Sequence, residues 1–75
     1  MDYKAFFWDV CQWTEQVNLA VPHFGGMENP AFWAWVAESS SGICVKYQNH
    51  RLAIKQMMML VDWLEEVYHE RRKPQ

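Results

Sequence analysis

The stretch "ESSSGICVKY", from Glu38 to Tyr47, decides which fold the sequence predicts. Serine and glycine are poor helix formers, and the ICVKY part has the β-branched and aromatic composition of a strand. A helix that runs straight through the stretch, however, keeps a series of apolar residues on one face. This series is Phe32, Val36, Ile43 and Tyr47. We therefore predict a continuous helix, whose small residues allow a neighbouring helix or aromatic ring to approach closely.

Three helices are predicted in all, and the one that contains this stretch is the second. The first covers about residues 2–19, because apolar residues recur three and four positions apart and a proline and two glycines follow. The second begins at Asn29, an N-cap residue followed by proline, and covers about 30–47. The third covers about 50–72, with Asn49 as its expected cap.

Three helices with short connections predict an all-α, up-down-up three-helix bundle that forms a single domain over residues 1–75. The alternative is an α+β fold with a short strand at 43–47. The composition, 51% hydrophobic and 16% aromatic, predicts a folded chain. Twelve aromatic residues, five Trp, four Phe and three Tyr, are difficult to bury completely in so short a chain, so some are expected on the surface.

Charge and hydropathy narrow the classes of function and location. The net charge of −2 gives no overall basic surface for phosphate binding. No apolar run approaches the roughly 18 residues of a membrane span, and the N-terminus lacks the features of a signal peptide. We expect a cytoplasmic protein that does not enter a membrane.

The two cysteines, Cys11 and Cys44, are expected to stay reduced and unlinked. An antiparallel helix pair that turns near residue 24 places Cys11 opposite Glu38. Cys44 then lies about 9 Å further along the axis, beyond the roughly 7 Å limit for a disulfide.

The run of three methionines from Met57 to Met59 cannot share one helical face, because successive residues step about 100° around the axis. Met57 lies in the apolar stripe of the third helix and is expected in the core. Met58 lies beside Lys55 and Asp62 on the charged side of the helix. No packing role explains a methionine at that position. Adjacent helical sulfurs diverge, so the run does not predict a metal site.

The tryptophans supply the other unexplained side chains. Trp8 lies on a polar face of the first helix, where it either covers its own helix or contacts a partner. Trp33 and Trp35 point about 200° apart, so both cannot enter one core. One of them is expected to seal a helix junction, and the other to join a surface patch.

The polar residues predict no enzyme. Glu66 and His69 have the spacing of a di-iron site, but the second such motif and the additional glutamates are missing. The chain shows no triad, metal set or phosphate-binding loop. We therefore expect no catalytic residue, no cofactor and no metal.

The remaining prediction is a small protein-protein interaction module, such as a regulatory subunit, an inhibitor or a self-associating domain. Its partner is an unknown protein or a second copy of the chain, and its expected contact residues are Trp8, Met58, Trp33 and Trp35. The alternative is a nucleic-acid-binding helical domain that uses the basic end Arg71, Arg72 and Lys73. This alternative is disfavoured because acidic residues dominate the exposed face of the third helix.

Overall fold

The computed structural model describes residues 1–72, with side chains through residue 71. This part of the chain forms three helices, α1 (Tyr3–His23), α2 (Pro30–Lys46) and α3 (Arg51–Arg72). The all-α three-helix prediction is confirmed. The strand alternative is wrong, because residues 43–46 are the last turn of α2. None of the three helices in residues 1–72 combines the length and the hydropathy that a membrane-spanning segment needs.

Side chains cap the start of each helix. The carboxylate of Asp2 accepts a hydrogen bond from the Ala5 amide at 3.1 Å, and Asn29 Oδ1 accepts one from the Ala31 amide at 2.9 Å. At α3 the cap is His50, whose Nδ1 accepts from the Leu52 amide at 3.1 Å. The expected cap Asn49 instead belongs to the end of α2, so that prediction is wrong.

The first helix ends four residues later than the sequence predicted, and Pro22 lies inside it. The stop is the pair Gly25 and Gly26, which have positive φ angles of 77° and 118°. The Gly26 amide donates to the carbonyl of Val21 at 2.8 Å, and the Gly25 amide donates to that of Pro22 at 3.1 Å. This pair of bonds is a Schellman motif, which satisfies the last carbonyls of a helix.

The second helix ends in the same motif without glycine. The backbone amide of Gln48 donates to the carbonyl of Val45 at 2.9 Å, and the backbone amide of Asn49 donates to the carbonyl of Cys44 at 2.8 Å. Gln48 and Asn49 have φ angles of 58° and 55°, in the left-handed region that favours glycine. The short α2–α3 connection therefore holds two residues other than glycine in a disfavoured backbone conformation.

The helices pack around one core with α2 in the middle. The rings of Phe6 and Tyr47 pack edge to face with their centroids 5.2 Å apart, and the ring centroids of Trp33 and Tyr68 are 5.7 Å apart. Each pair joins the start of one helix to the end of the next, so neighbouring helices run antiparallel. The contact between α1 and α3 is much smaller than the contact of either helix with α2. The buried apolar residues are Phe6, Val10, Trp13, Val17, Ala20, Met27, Phe32, Val36, Ala53, Met57 and Leu64.

The serine stretch joins α2 to α1 through a hydrogen bond. The indole Nε1–H of Trp13 donates to Ser39 Oγ at 2.8 Å, and Ser39 Oγ donates to the carbonyl of Trp35 at 2.7 Å. The expected close approach of an aromatic ring therefore occurs at Ser39. A Cβ atom added at Gly42 would meet no atom within 4 Å, so the same expectation is wrong at Gly42.

The register between α1 and α2 also differs from the predicted one. In the structure Trp13 contacts Ser39, and Asp9 contacts Lys46. These contacts show that α2 is displaced along α1 by several residues from the pairing that a turn near residue 24 would give. Cys11 and Cys44 are free thiols. Cys11 is exposed on α1, while Cys44 lines a groove between α2 and α3.

Candidate interaction surface

The large exposed apolar side chains of α3 lie along the two edges of its solvent-facing side, because nine residues, about 180° around the axis, separate Ile54 from Trp63. Ile54, Met58, Met59 and Trp63 are 37%, 61%, 56% and 48% exposed. Met57, between them in the sequence, is 2% exposed and belongs to the core, as the helical step predicts. We call the solvent-facing side of α3 from Arg51 to Glu66 the α3 outer face.

A groove between α2 and α3 borders this face. It has a volume of about 530 Å³, and the side chains that line it come from α2 and α3 only. Its α2 wall is built largely from small residues, Ala37, Ser40, Ser41 and Cys44, and its α3 wall includes Ile54, Met58 and Val61. The small residues of the ESSSG stretch therefore leave an apolar depression beside Met58.

Charges are segregated along the α3 outer face. Arg51 and Lys55 lie at its N-terminal end, and Asp62, Glu65 and Glu66 lie at its C-terminal end. The pairs Arg51 with Lys55 and Asp62 with Glu66 are like charges four residues apart, which costs a helix about 0.2 to 0.5 kcal/mol each. The one ion pair among the described residues joins Lys46 and Asp9 at 2.8 Å, so no charged side chain on this face forms an ion pair with another described residue.

That ion pair belongs to a structural contact between α1 and the end of α2. The carboxylate of Asp9 accepts hydrogen bonds from Lys46 Nζ at 2.8 Å and from the Tyr47 hydroxyl at 2.5 Å. These two bonds, that of Lys46 first, hold the pKa of Asp9 below its ordinary value. The hydrogen bond between the Tyr47 hydroxyl and Asp9 raises the pKa of Tyr47 to about 12. The cluster therefore joins α1 to the end of α2 through two hydrogen bonds to one carboxylate.

Trp8 and Met58 do not form one surface. Trp8 is 65% exposed on the side of α1 opposite its buried residues Phe6 and Val10. Met58 lies on α3 beside the α2–α3 groove, to which α1 contributes no side chain.

Trp33 and Trp35 are both half-buried and both make contacts within the bundle. Trp33 Nε1 donates to the carbonyl of Met27 at 2.8 Å and ties α2 to the α1–α2 loop. Trp35 stacks on Trp13 with ring centroids 6.2 Å apart and planes 2° apart. The structure therefore gives each of them a packing role, where the sequence predicted one sealing residue and one surface residue.

The basic end of α3 is only partly described. Arg71 is exposed, and its Nη1 lies 3.8 Å from the sulfur of Met27. Arg72 is the last helical residue, its side chain is not described, and Lys73 lies outside the described residues.

The sequence reasoning missed Trp63 and Ile54 as surface residues. Both carry a usable signal, since Trp63 is four residues after Met59 and Ile54 is four before Met58. Residues four apart are neighbours on a helix surface. An exposed Met58 or Met59 therefore implies an exposed neighbour on the same side.

The comparisons with known proteins assign no family. No family model matches the chain, and neither a curated protein nor a solved structure matches it. Within residues 1–72, no three His, Cys, Asp or Glu side chains converge in a way that could hold a metal ion.

Proposed function

We propose that the protein is a small interaction module that binds another protein chain through the α3 outer face and the adjoining α2–α3 groove. The observation that carries the proposal is the exposure of four large apolar side chains on one helix, Ile54, Met58, Met59 and Trp63. Large exposed apolar side chains next to charged ones are found at protein contact sites.

The chemistry of the surface supports this role. Methionine side chains are flexible and polarisable, so they adapt to a partner's shape, and tryptophan is enriched among the residues that dominate binding energy. The groove beside Met58 offers a partner helix a depression to fill. The acidic residues Asp62 and Glu65 line the same groove and favour a partner with basic groups.

Site-specific photo-crosslinking tests the proposal. A photo-reactive amino acid replaces Met58 in one variant and Leu19 in a control variant, and each is irradiated in lysate of the source organism. Leu19 is 73% exposed but lies on α1. We expect a defined covalent product from position 58 and none of that mass from position 19.

A second change in the position-58 variant makes the test sharper. Trp63→Ala should reduce the yield of that product, because it removes apolar contact area from the same face. Identical products from positions 58 and 19, or no product from position 58, would overturn the proposal.

A further inference from the structure

We infer that the α3 outer face binds a second copy of this chain, with the two α3 helices antiparallel about a two-fold axis that passes between Met58 and Met59. The inference rests on the proposed function and names the partner. It is carried by the order of charges along α3, which is basic before the methionines and acidic after them.

The order of residues on this face is self-complementary. Lys55 lies three positions before Met58, and Asp62 lies three positions after Met59. Antiparallel pairing about the midpoint therefore sets Lys55 of each copy opposite Asp62 of the other. Arg51 and Glu66, each seven positions from the nearer methionine, are matched in the same way.

The pairing also removes the two unfavourable features of the isolated chain. Like charges that are neighbours along one helix gain opposite charges across the contact. Met58 and Met59 each meet their counterpart at the axis, which covers side chains that are 61% and 56% exposed. The same patch serves both copies, which is the rule for two-fold dimers.

The size of the face sets the expected strength. From Arg51 to Glu66 it extends about 22 Å along the helix. A contact built on one helix pair lies at the lower end of specific interfaces, which bury about 1,200 to 2,000 Å² in total. We therefore expect a reversible dimer with a micromolar Kd, which weakens about tenfold or more when salt rises from low to high concentration.

Sedimentation equilibrium of the full chain with two charge reversals tests the geometry. Lys55→Glu places two carboxylates opposite each other twice in a dimer, and Asp62→Lys does the same with two amines. Each variant alone should self-associate roughly 10- to 100-fold more weakly than the wild type. An equimolar mixture of the two should recover dimerisation, because both cross-contacts then join opposite charges.

Matched controls carry the same charge changes on α1. Lys4→Glu and Glu15→Lys alter exposed residues away from α3 and should leave the Kd at the wild-type value. Circular dichroism checks that every variant is folded. If a reversal unfolds the chain, Lys55→Gln and Asp62→Asn should show a smaller loss of the same sign.

The outcomes separate the two proposals. A monomeric wild type up to about 500 µM, a mixture that stays dissociated, or controls that weaken the dimer equally would overturn the two-fold pairing. If a defined product still forms from position 58 with a different protein, the interaction module stands and only the second copy is excluded. If position 58 yields no product, the module itself fails.

Discussion

At the scale of the residue, Ser39 shows how a poor helix former stabilises this fold. Its hydroxyl accepts the indole proton of Trp13, which is 2% exposed. Ser39→Ala leaves that donor without its partner and should lower the free energy of unfolding by about 1 to 3 kcal/mol. Ser41→Ala, an exposed position two residues on, is the control and should stay within about 0.5 kcal/mol of the wild type. Urea denaturation measures both, and equal effects would show that the Trp13 bond contributes nothing.

The glycines give a second pair of residues with opposite expectations. Gly25→Ala forces a side chain into a φ of 77°, which should cost about 1 to 2 kcal/mol of stability. Gly42→Ala adds a methyl group inside α2 where no atom lies within 4 Å. It should raise stability by about 0.5 to 1 kcal/mol, because alanine is the better helix former. Thermal unfolding monitored by circular dichroism tests the two signs, and a destabilised Gly42→Ala would mean that the position is crowded.

At the scale of the element, the contact between α1 and the end of α2 should respond to acid. The pKa of Asp9 is lowered in the folded chain, so its stabilisation is present above the ordinary carboxyl pKa and is lost as the pH falls through the folded-state value. Tyr47→Phe removes one of the two donors and should move the pKa of Asp9 back toward its ordinary value. Carbon-detected NMR titration of the Asp9 carboxyl measures this shift. An unchanged pKa would mean that Lys46 alone sets it.

The starts of α1 and α2 could be predicted from sequence, but the cap of α3, the end of α1 and the register could not. Asp2 and Asn29 signal their helices locally, since each caps an amide two or three residues away. Pro22 misled the prediction of the end because a proline in a last turn loses a single hydrogen bond, and Gly25 and Gly26 satisfy the carbonyls beyond it. Register depends on packing between helices, which periodicity within one helix does not encode.

The candidate surface could likewise be predicted only in part from the sequence. The exposure of Met58 follows from the step of about 100° between residues. The groove beside it depends on how α3 lies against the small residues of α2, and the packing of Trp33 and Trp35 depends on Met27 and Trp13. Such contacts join residues from different elements, so a reading of one helix at a time could not place them.

At the scale of the whole molecule, burial predicts which large side chains hold the bundle together. Leu64 is 3% exposed and Trp8 is 65% exposed. Leu64→Ala should therefore cost about 2 to 5 kcal/mol, while Trp8→Ala should leave the melting temperature nearly unchanged. Differential scanning calorimetry compares the two. A Trp8→Ala variant as unstable as Leu64→Ala would show that the Trp8 ring packs in the core.

The central position of α2 has a consequence for how quickly the chain reaches its native state. Both well-packed helix pairs are consecutive in sequence and are joined by short connections, whereas the first and last helices touch little. Each pair can close as a local hairpin, and low contact order of this kind goes with folding times of microseconds to milliseconds. Because α2 belongs to both hairpins, substitutions in its buried face at Val36 should slow folding more than equally destabilising ones near the chain ends.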